Sequence, residues 1–344
     1  MRLFRVLPVF VVLSVFVNCT RKAVDYCNMH DYPVDRVKFE TLHDSFLFSY
    51  PKELLIYNTQ LIICDGKKDK LIHIFDKETG EYLGGYINKG RGSGEVIDFH
   101  SVCCDNGKLW GIDANLKKIL VFDLNDHSIK EFSTAILESW PTQILPYKDN
   151  EIVLYAGSDD YRFAVYDLEM SKIRFSYNLY PSMDGKEETV RSIFKYAGNL
   201  SINPSKDKIV SATYIGSILE ILDINTDGIQ SDVCKYYLEP IFGFQKGTVP
   251  LMVKSIEETK VGFYDLYASD FYVYGLIWNC TSNDIKLNKR KPQIVAFDYN
   301  GQPQWGIENE EGRICLFIVD ESDNTIYALV KIDGEYKLQK YAMS

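Results

Sequence analysis

The chain has 344 residues and a formal net charge of −10 at pH 7. An acidic surface repels phosphate backbones, which excludes nucleic acid as a natural partner. Aromatic residues make up 14% of the chain, with 24 Tyr and 19 Phe, and such large flat side chains suit half-buried pleated surfaces.

The N-terminus reads as an address. Arg2 and Arg5 precede an apolar run from Leu7 to Val17, interrupted only by Pro8 and Ser14; Asn18 and Cys19 follow. A positive start, a short apolar stretch and a cut site make an export signal, too short for a membrane span. Cys19 resembles the lipid-bearing Cys of a bacterial lipobox, although Phe16-Val17-Asn18 stands where residues of the Leu-Ala-Gly type are usual. An ordinary secretory signal with a chance Cys is the alternative. On the lipobox reading, residues 1–18 are a signal peptide, Cys19 carries the lipid, residues 19–33 form a tether and residues 34–344 form the folded domain. Several acyl chains, at ~0.8 kcal/mol per buried methylene, give lasting attachment. No later run approaches the roughly 20 apolar residues of a spanning helix, so lipid is the expected membrane contact. The stretch Thr20-Arg21-Lys22-Ala23-Val24-Asp25 begins with basic charges. Lipoproteins sent to the cell exterior often carry acidic residues there, so the expected location is the cell envelope, on an outer-membrane lipoprotein facing the periplasm.

Beyond the leader a phrase recurs: strand-type residues ending in Asp, then a turn. It reads IHIFD at 72–76, ILVFD at 119–123, FAVYD at 163–167, LEILD at 219–223 and IVAFD at 294–298. The Asp residues are 47, 44, 56 and 75 apart, close to one four-stranded propeller blade or a blade plus an insertion. A second strand lies about ten residues upstream of each phrase, at 60–64, 108–112, 151–155, 208–213 and 271–278. Turn signals follow each Asp, such as Glu78-Thr79-Gly80 and Asn300-Gly301, and then a further alternating run. The Asp therefore falls at the hairpin between the third strand and the outer fourth, where its carboxylate caps turn N–H groups. This is a structural role, not a catalytic one.

A sixth unit at the C-terminus has three strands, at 314–319, 325–331 and 336–343. Its outer strand is missing there, while an unassigned strand-like segment, 35–41, lies near the N-terminus. The expectation is an all-β six-bladed β-propeller of four-stranded antiparallel blades, its last blade closed by the N-terminal segment so that no sheet edge stays open. The alternative is seven blades, with a degenerate blade between Pro240 and Tyr267.

Seven Cys follow Cys19: Cys27, Cys64, Cys103, Cys104, Cys234, Cys280 and Cys315. Seven is odd, so at least one thiol stays unpaired; Cys64 and Cys315, in apolar strands, read as small core residues. No CxxC, HxH or HExxH occurs. No metal site and no cofactor is therefore expected.

Asn88-Lys89-Gly90-Arg91-Gly92-Ser93-Gly94-Glu95, followed by Gly111-Ile112-Asp113 and 119–123, resembles the TolB-like, NHL-like six-bladed β-propeller lipoproteins of Gram-negative bacteria. Members often carry Pro where this chain has Ser93. The resemblance implies the fold and an exported location; it implies no catalytic residues. The glycine phrase lacks the Lys-Ser or Lys-Thr pair and following helix of a phosphate loop. Its glycines let the backbone turn from one blade to the next, with Arg91 and Glu95 bonding nearby backbone or each other. A recognition role is the alternative for this loop.

In a ring of four-stranded blades, inter-blade connections share a face with the connections between second and third strands. The loop 90–95 and the long connection 279–292, with Lys286, Lys289, Arg290 and Lys291, are thus expected on one rim, together with Glu187, Glu188 and Arg191 and with Trp278 at its edge. Long loops on a rigid scaffold are the usual carriers of recognition. The expected function is a non-catalytic binding module for a protein, peptide or glycan. The alternative is a calcium-dependent propeller hydrolase or lactonase, whose ligands belong at inner-strand starts. The starts at 99–102, 142–145 and 199–202 are poor in carboxylates, and no GxSxG occurs.

Overall fold

The computed structural model describes residues 27, 28, 31–135, 137, 141–156, 161–181, 196–241, 243–244, 253–254 and 257–343. Six antiparallel sheets follow one another along the chain. Blade 1 runs through Pro51–Tyr57, Gln60–Asp65, Lys70–Asp76 and Tyr82–Asn88. Blade 2 comprises Ser101–Asp105, Lys108–Asp113, Lys118–Asp123 and Ile129–Ser133. Gln143–Pro146, Glu151–Tyr155, Phe163–Asp167 and Lys172–Tyr177 make blade 3. In blade 4 the strands are Gly198–Ile202, Lys208–Thr213, Ser217–Ile224 and Ile229–Leu238. Blade 5 follows with Lys260–Ala268, Val273–Thr281, Gln293–Phe297 and Pro303–Asn309. Blade 6 takes Arg313–Asp320, Thr325–Ile332 and Glu335–Ala342 from the C-terminal end.

The middle strands of each blade are buried on both faces, which is why they read as almost unbroken apolar runs. Their side chains fill six seams, one between each neighbouring pair of blades. The seam that proves closure joins Leu54, Leu61 and Phe75 of blade 1 to Leu316, Tyr327 and Leu338 of blade 6. Two hairpins show how local sequence sets the path. Asn106-Gly107 and Asp333-Gly334 are two-residue turns with positive φ at all four positions, the geometry that matches strand twist and favours these residue pairs.

The closing segment is two short strands rather than one. Val34–Val37 runs parallel to Pro303–Asn309 and makes blade 5 five-stranded, with Val34 opposite Gly306 and Val37 opposite Asn309. Glu40–His43 then pairs antiparallel with Glu335–Ala342 as the fourth strand of blade 6. Phe39 sits between them, 1% exposed and stacked on Tyr341 at 5.4 Å. A buried polar chain fastens the joint: Asn309 Nδ2 donates to Gln339 Oε1, and Gln339 Nε2 donates to Thr41 Oγ1, both at 3.1 Å. Residues just upstream also dock on the ring. The Cys27 amide donates to the Tyr236 carbonyl at 2.7 Å, and Tyr32 packs beside Gly306.

The 75-residue interval before Asp298 holds no seventh blade among the described residues. Longer strands and a small hairpin of Gly243–Phe244 with Val253–Lys254 occupy it. Four of the five repeated Asp residues cap their turns as expected. Asp76, Asp123, Asp167 and Asp298 accept backbone N–H groups two to four residues ahead. In blade 4 the task passes to Asn225, and Asp223 instead holds Lys208 at 2.6 Å. The seven described cysteines are free thiols.

Candidate functional site at the upper mouth of the channel

Inner strands start on the face that carries the inter-blade connections, here called the upper face, and end on the lower one. Around the axis they enclose a channel of about 930 Å³. At the lower end Lys206 reaches from blade 4 to Asp105 of blade 2 at 2.8 Å. The upper mouth is lined by aromatic rings, among them Tyr50, Tyr214, Tyr264, Trp278 and Tyr336. Tyr264 is 51% exposed although it lies in an inner strand, so its ring faces the lumen.

Two carboxylates face the lumen below that aromatic tier. Asp265 accepts the amides of Leu266 at 2.9 Å and Phe317 at 3.1 Å, tying blade 5 to blade 6. Burial pushes its pKa up to about 7. Glu53 has neither a hydrogen bond nor an ion pair among the described residues. Burial, then the neighbouring Asp265 charge, raises its pKa well above the usual carboxylate range. Burial raises the Tyr214 phenol and the Cys103 thiol as well, and the Glu53 charge adds to both. A carboxylate acting on blades 2, 4 and 5 at once stands in the lumen. Its neighbour Lys52 is committed elsewhere, to Asp98 at 2.6 Å and the Phe99 carbonyl at 2.8 Å.

A cation occupies the lip. Arg313, at the start of blade 6, lies over the Trp278 ring at 5.8 Å and has no carboxylate partner among the described residues. The long connection of blade 5 begins not as a loop but as strand to Thr281, then a one-turn helix, Ser282–Lys286. Thr281 and Asp284 cap it reciprocally. Ile285 of that helix lines the mouth. Lys286, Lys289 and Arg290 are exposed, with Lys289 3.6 Å from Asp284. Lys291 is engaged structurally, donating to the carbonyls of Asn309 and Glu310.

The structure thus brings Trp278 to the channel mouth beside Arg313, leaves Lys286, Lys289 and Arg290 on the exposed connection that follows Ile285, and sets Arg91 and Glu95 apart. The loop 90–95 packs on the outer strands of blade 2: the Gly94 amide donates to Glu131 Oε1 at 2.9 Å, and Lys118 binds the same carboxylate. Glu95 folds back inside the loop. It accepts the Gly92 amide at 2.8 Å, and a Cβ on Gly90 would lie 2.0 Å from its Oε2. Glu95 is therefore the loop's internal brace, while Arg91 is exposed. Cys19, Glu187, Glu188 and Arg191 lie outside the described residues. Sequence reasoning missed Glu53, Asp265 and Arg313. The available signal was a lone acid in two strand-like runs, PKELLIY and KVGFYDLYA. Among the described residues no three His, Cys, Asp or Glu side chains converge as a metal site requires.

A closed six-bladed ring with an aromatic-walled axial channel defines a propeller whose candidate site is the channel mouth. The model of the TolB-like 6-blade propeller-like family matches residues 32–322. The chain belongs to that family. No curated protein matches it. Among solved structures it resembles a protein of Bacteroides fragilis NCTC 9343 named as a candidate exported protein, at 13% identity and a TM-score of 0.55, covering 94% of this chain and 100% of that one. A member of the DUF4221 family from Bacteroides vulgatus ATCC 8482 is similar at 11% identity and a TM-score of 0.55, covering 91% and 96%. At these identities the likeness is one of fold.

Proposed function

We propose that this protein is an exported propeller of the bacterial cell envelope, anchored by lipid on Cys19 and facing the periplasm, that binds a protein, peptide or glycan partner at its upper channel mouth without transforming it. The observation that carries this reading is the mouth itself. The blades hold aromatic rings around one cavity, together with a guanidinium and a carboxyl group that form no ion pair among the described residues, the mixture of apolar wall and few convergent polar groups typical of binding sites. The leader ending in Cys19 and the structural neighbour whose name marks it as a candidate exported protein support the location. A panel of envelope glycans and short peptides, scored by thermal shift, tests the binding. At least one class should stabilise the wild type and lose its effect in Trp278→Ala and Tyr264→Ala. Stabilisation that both variants retain would move the site elsewhere. Cys19→Ala should release the protein from membranes into the soluble fraction, and persistence in the membrane fraction would refute the anchor.

A further inference from the structure

The channel is layered in charge. The upper lip carries Arg313, whereas Glu53 and Asp265 stand within. Neither Arg313 nor Glu53 has a partner of opposite charge among the described residues. Depth follows from the strand. Asp265 is bonded to the amide of Phe317, four residues beyond Arg313 on the same inner strand, or about 13 Å at 3.3 Å per residue. The backbone positions of Arg313 and of the amide that Asp265 binds are thus about four extended residues apart along that strand. Aromatic rings line the interval, with Tyr264 turned to the lumen.

Resting on the reading of this mouth as the binding site, the geometry points to a dipolar chain as the ligand: an ammonium or guanidinium group enters first and meets Glu53 and Asp265, while an anionic group stays at the lip on Arg313. The ligand's anion then meets Arg313 at the lip and its cation meets the two acids within, and the apolar stem between the ligand's charges lies on the aromatic wall. A uniformly cationic ligand would have to pass Arg313, and a uniformly anionic one would meet the two acids within. The raised pKa values of Glu53 and Asp265 agree with a site short of a cation, because a bound ammonium favours the ionised form of both. The same chemistry is available on a lysine- or arginine-bearing peptide with a free C-terminus and on a free diamino acid.

The test uses the full folded domain and four probes in calorimetric titrations: the tripeptide Lys-Gly-Gly acetylated at its N-terminus, its C-terminal amide, its norleucine analogue, and free lysine. The acetylated peptide acid should bind at least tenfold tighter than the amide and the norleucine analogue. Free lysine competing with it at similar affinity would identify a diamino acid as the source, and a much weaker free lysine would identify a peptide. Glu53→Gln should abolish the preference for lysine over norleucine and keep the preference for acid over amide. Arg313→Gln should do the reverse. Asp265→Asn, which keeps one acceptor for its amides, is a second inner-layer variant should Glu53→Gln fold poorly. Equal binding of lysine and norleucine peptides, or selectivities unchanged in these variants, overturns the inference. Should the Trp278→Ala effect on the wider panel survive that result, the mouth remains the binding site and only its charge logic falls.

Discussion

The ring closes through Phe39, which the N-terminal segment inserts between blades 5 and 6. Phe39 → Ala removes a ring that is 1% exposed, stacked on Tyr341 and packed among blade 5 and blade 6 residues that include Ile307, Ile314 and Val330. Truncations of buried Phe cost about 3–5 kcal/mol, transfer and cavity together, against a total stability of roughly 5–15 kcal/mol for a folded domain. The site has little room to collapse, because strands on either side of Phe39 are pinned to two different blades. The upper part of that range is therefore expected. Urea unfolding followed by tryptophan fluorescence and by far-ultraviolet circular dichroism gives the free energy, and the coincidence of the two transitions reports whether the ring unfolds as one unit. Leu47 → Ala, at a side chain 70% exposed in the following segment, should stay within about 0.5 kcal/mol of wild type. A loss below about 1 kcal/mol in Phe39 → Ala would refute the clasp as part of the core.

Further outcomes follow from buried charges and close contacts. His73 is 4% exposed, its Nε2 is unpartnered, and burial lowers its pKa. The native state thus binds fewer protons than the unfolded chain, so stability is complete above about pH 6.5 and falls as pH drops from there through the depressed value. His73 → Phe should flatten that acid slope in melting curves between pH 5 and 8. Asp265 has the opposite sign: with its pKa raised to about 7, its contribution is complete near pH 4 and is lost as pH rises through 7. Asp265 → Asn should therefore flatten that pH dependence between pH 5 and 8, read from urea midpoints. Lys77 joins blade 1 to Asp320 at 2.6 Å and Asp323 at 3.0 Å in blade 6, and Lys77 → Met, which strands both carboxylates, should cost about 1–3 kcal/mol. A Cβ on Gly198 would lie 1.9 Å from the Ala212 carbonyl, so Gly198 → Ala should cost about 3 kcal/mol, measured by the same urea titration.

What was legible in the sequence followed from burial on both faces. The middle strands of every blade are sandwiched between seams, so their apolar runs and terminal Asp survive as a visible repeat, and the missing outer strand of the last blade could be sought at the other end of the chain. The split of the closing segment was not legible, because Asp35, Arg36, Lys38 and Glu40 give it no alternation. Its register is set instead by Phe39 and by the pairs Arg36–Glu308 at 3.4 Å and Lys38–Glu311 at 2.7 Å, which exist only once the chain has met its own other end. The channel was harder still for a related reason. Inner strands face water along the axis, and a lumen-facing Glu53 looks in sequence like any solvated edge residue. Within the charge run 286–291 Lys291 is spent on two carbonyls, while the mouth is lined by Arg313, which belongs to no such run. A binding site in a propeller is made by convergence: six strands distant in sequence each contribute one or two side chains to a common axis, and no local pattern in any one of them records the others.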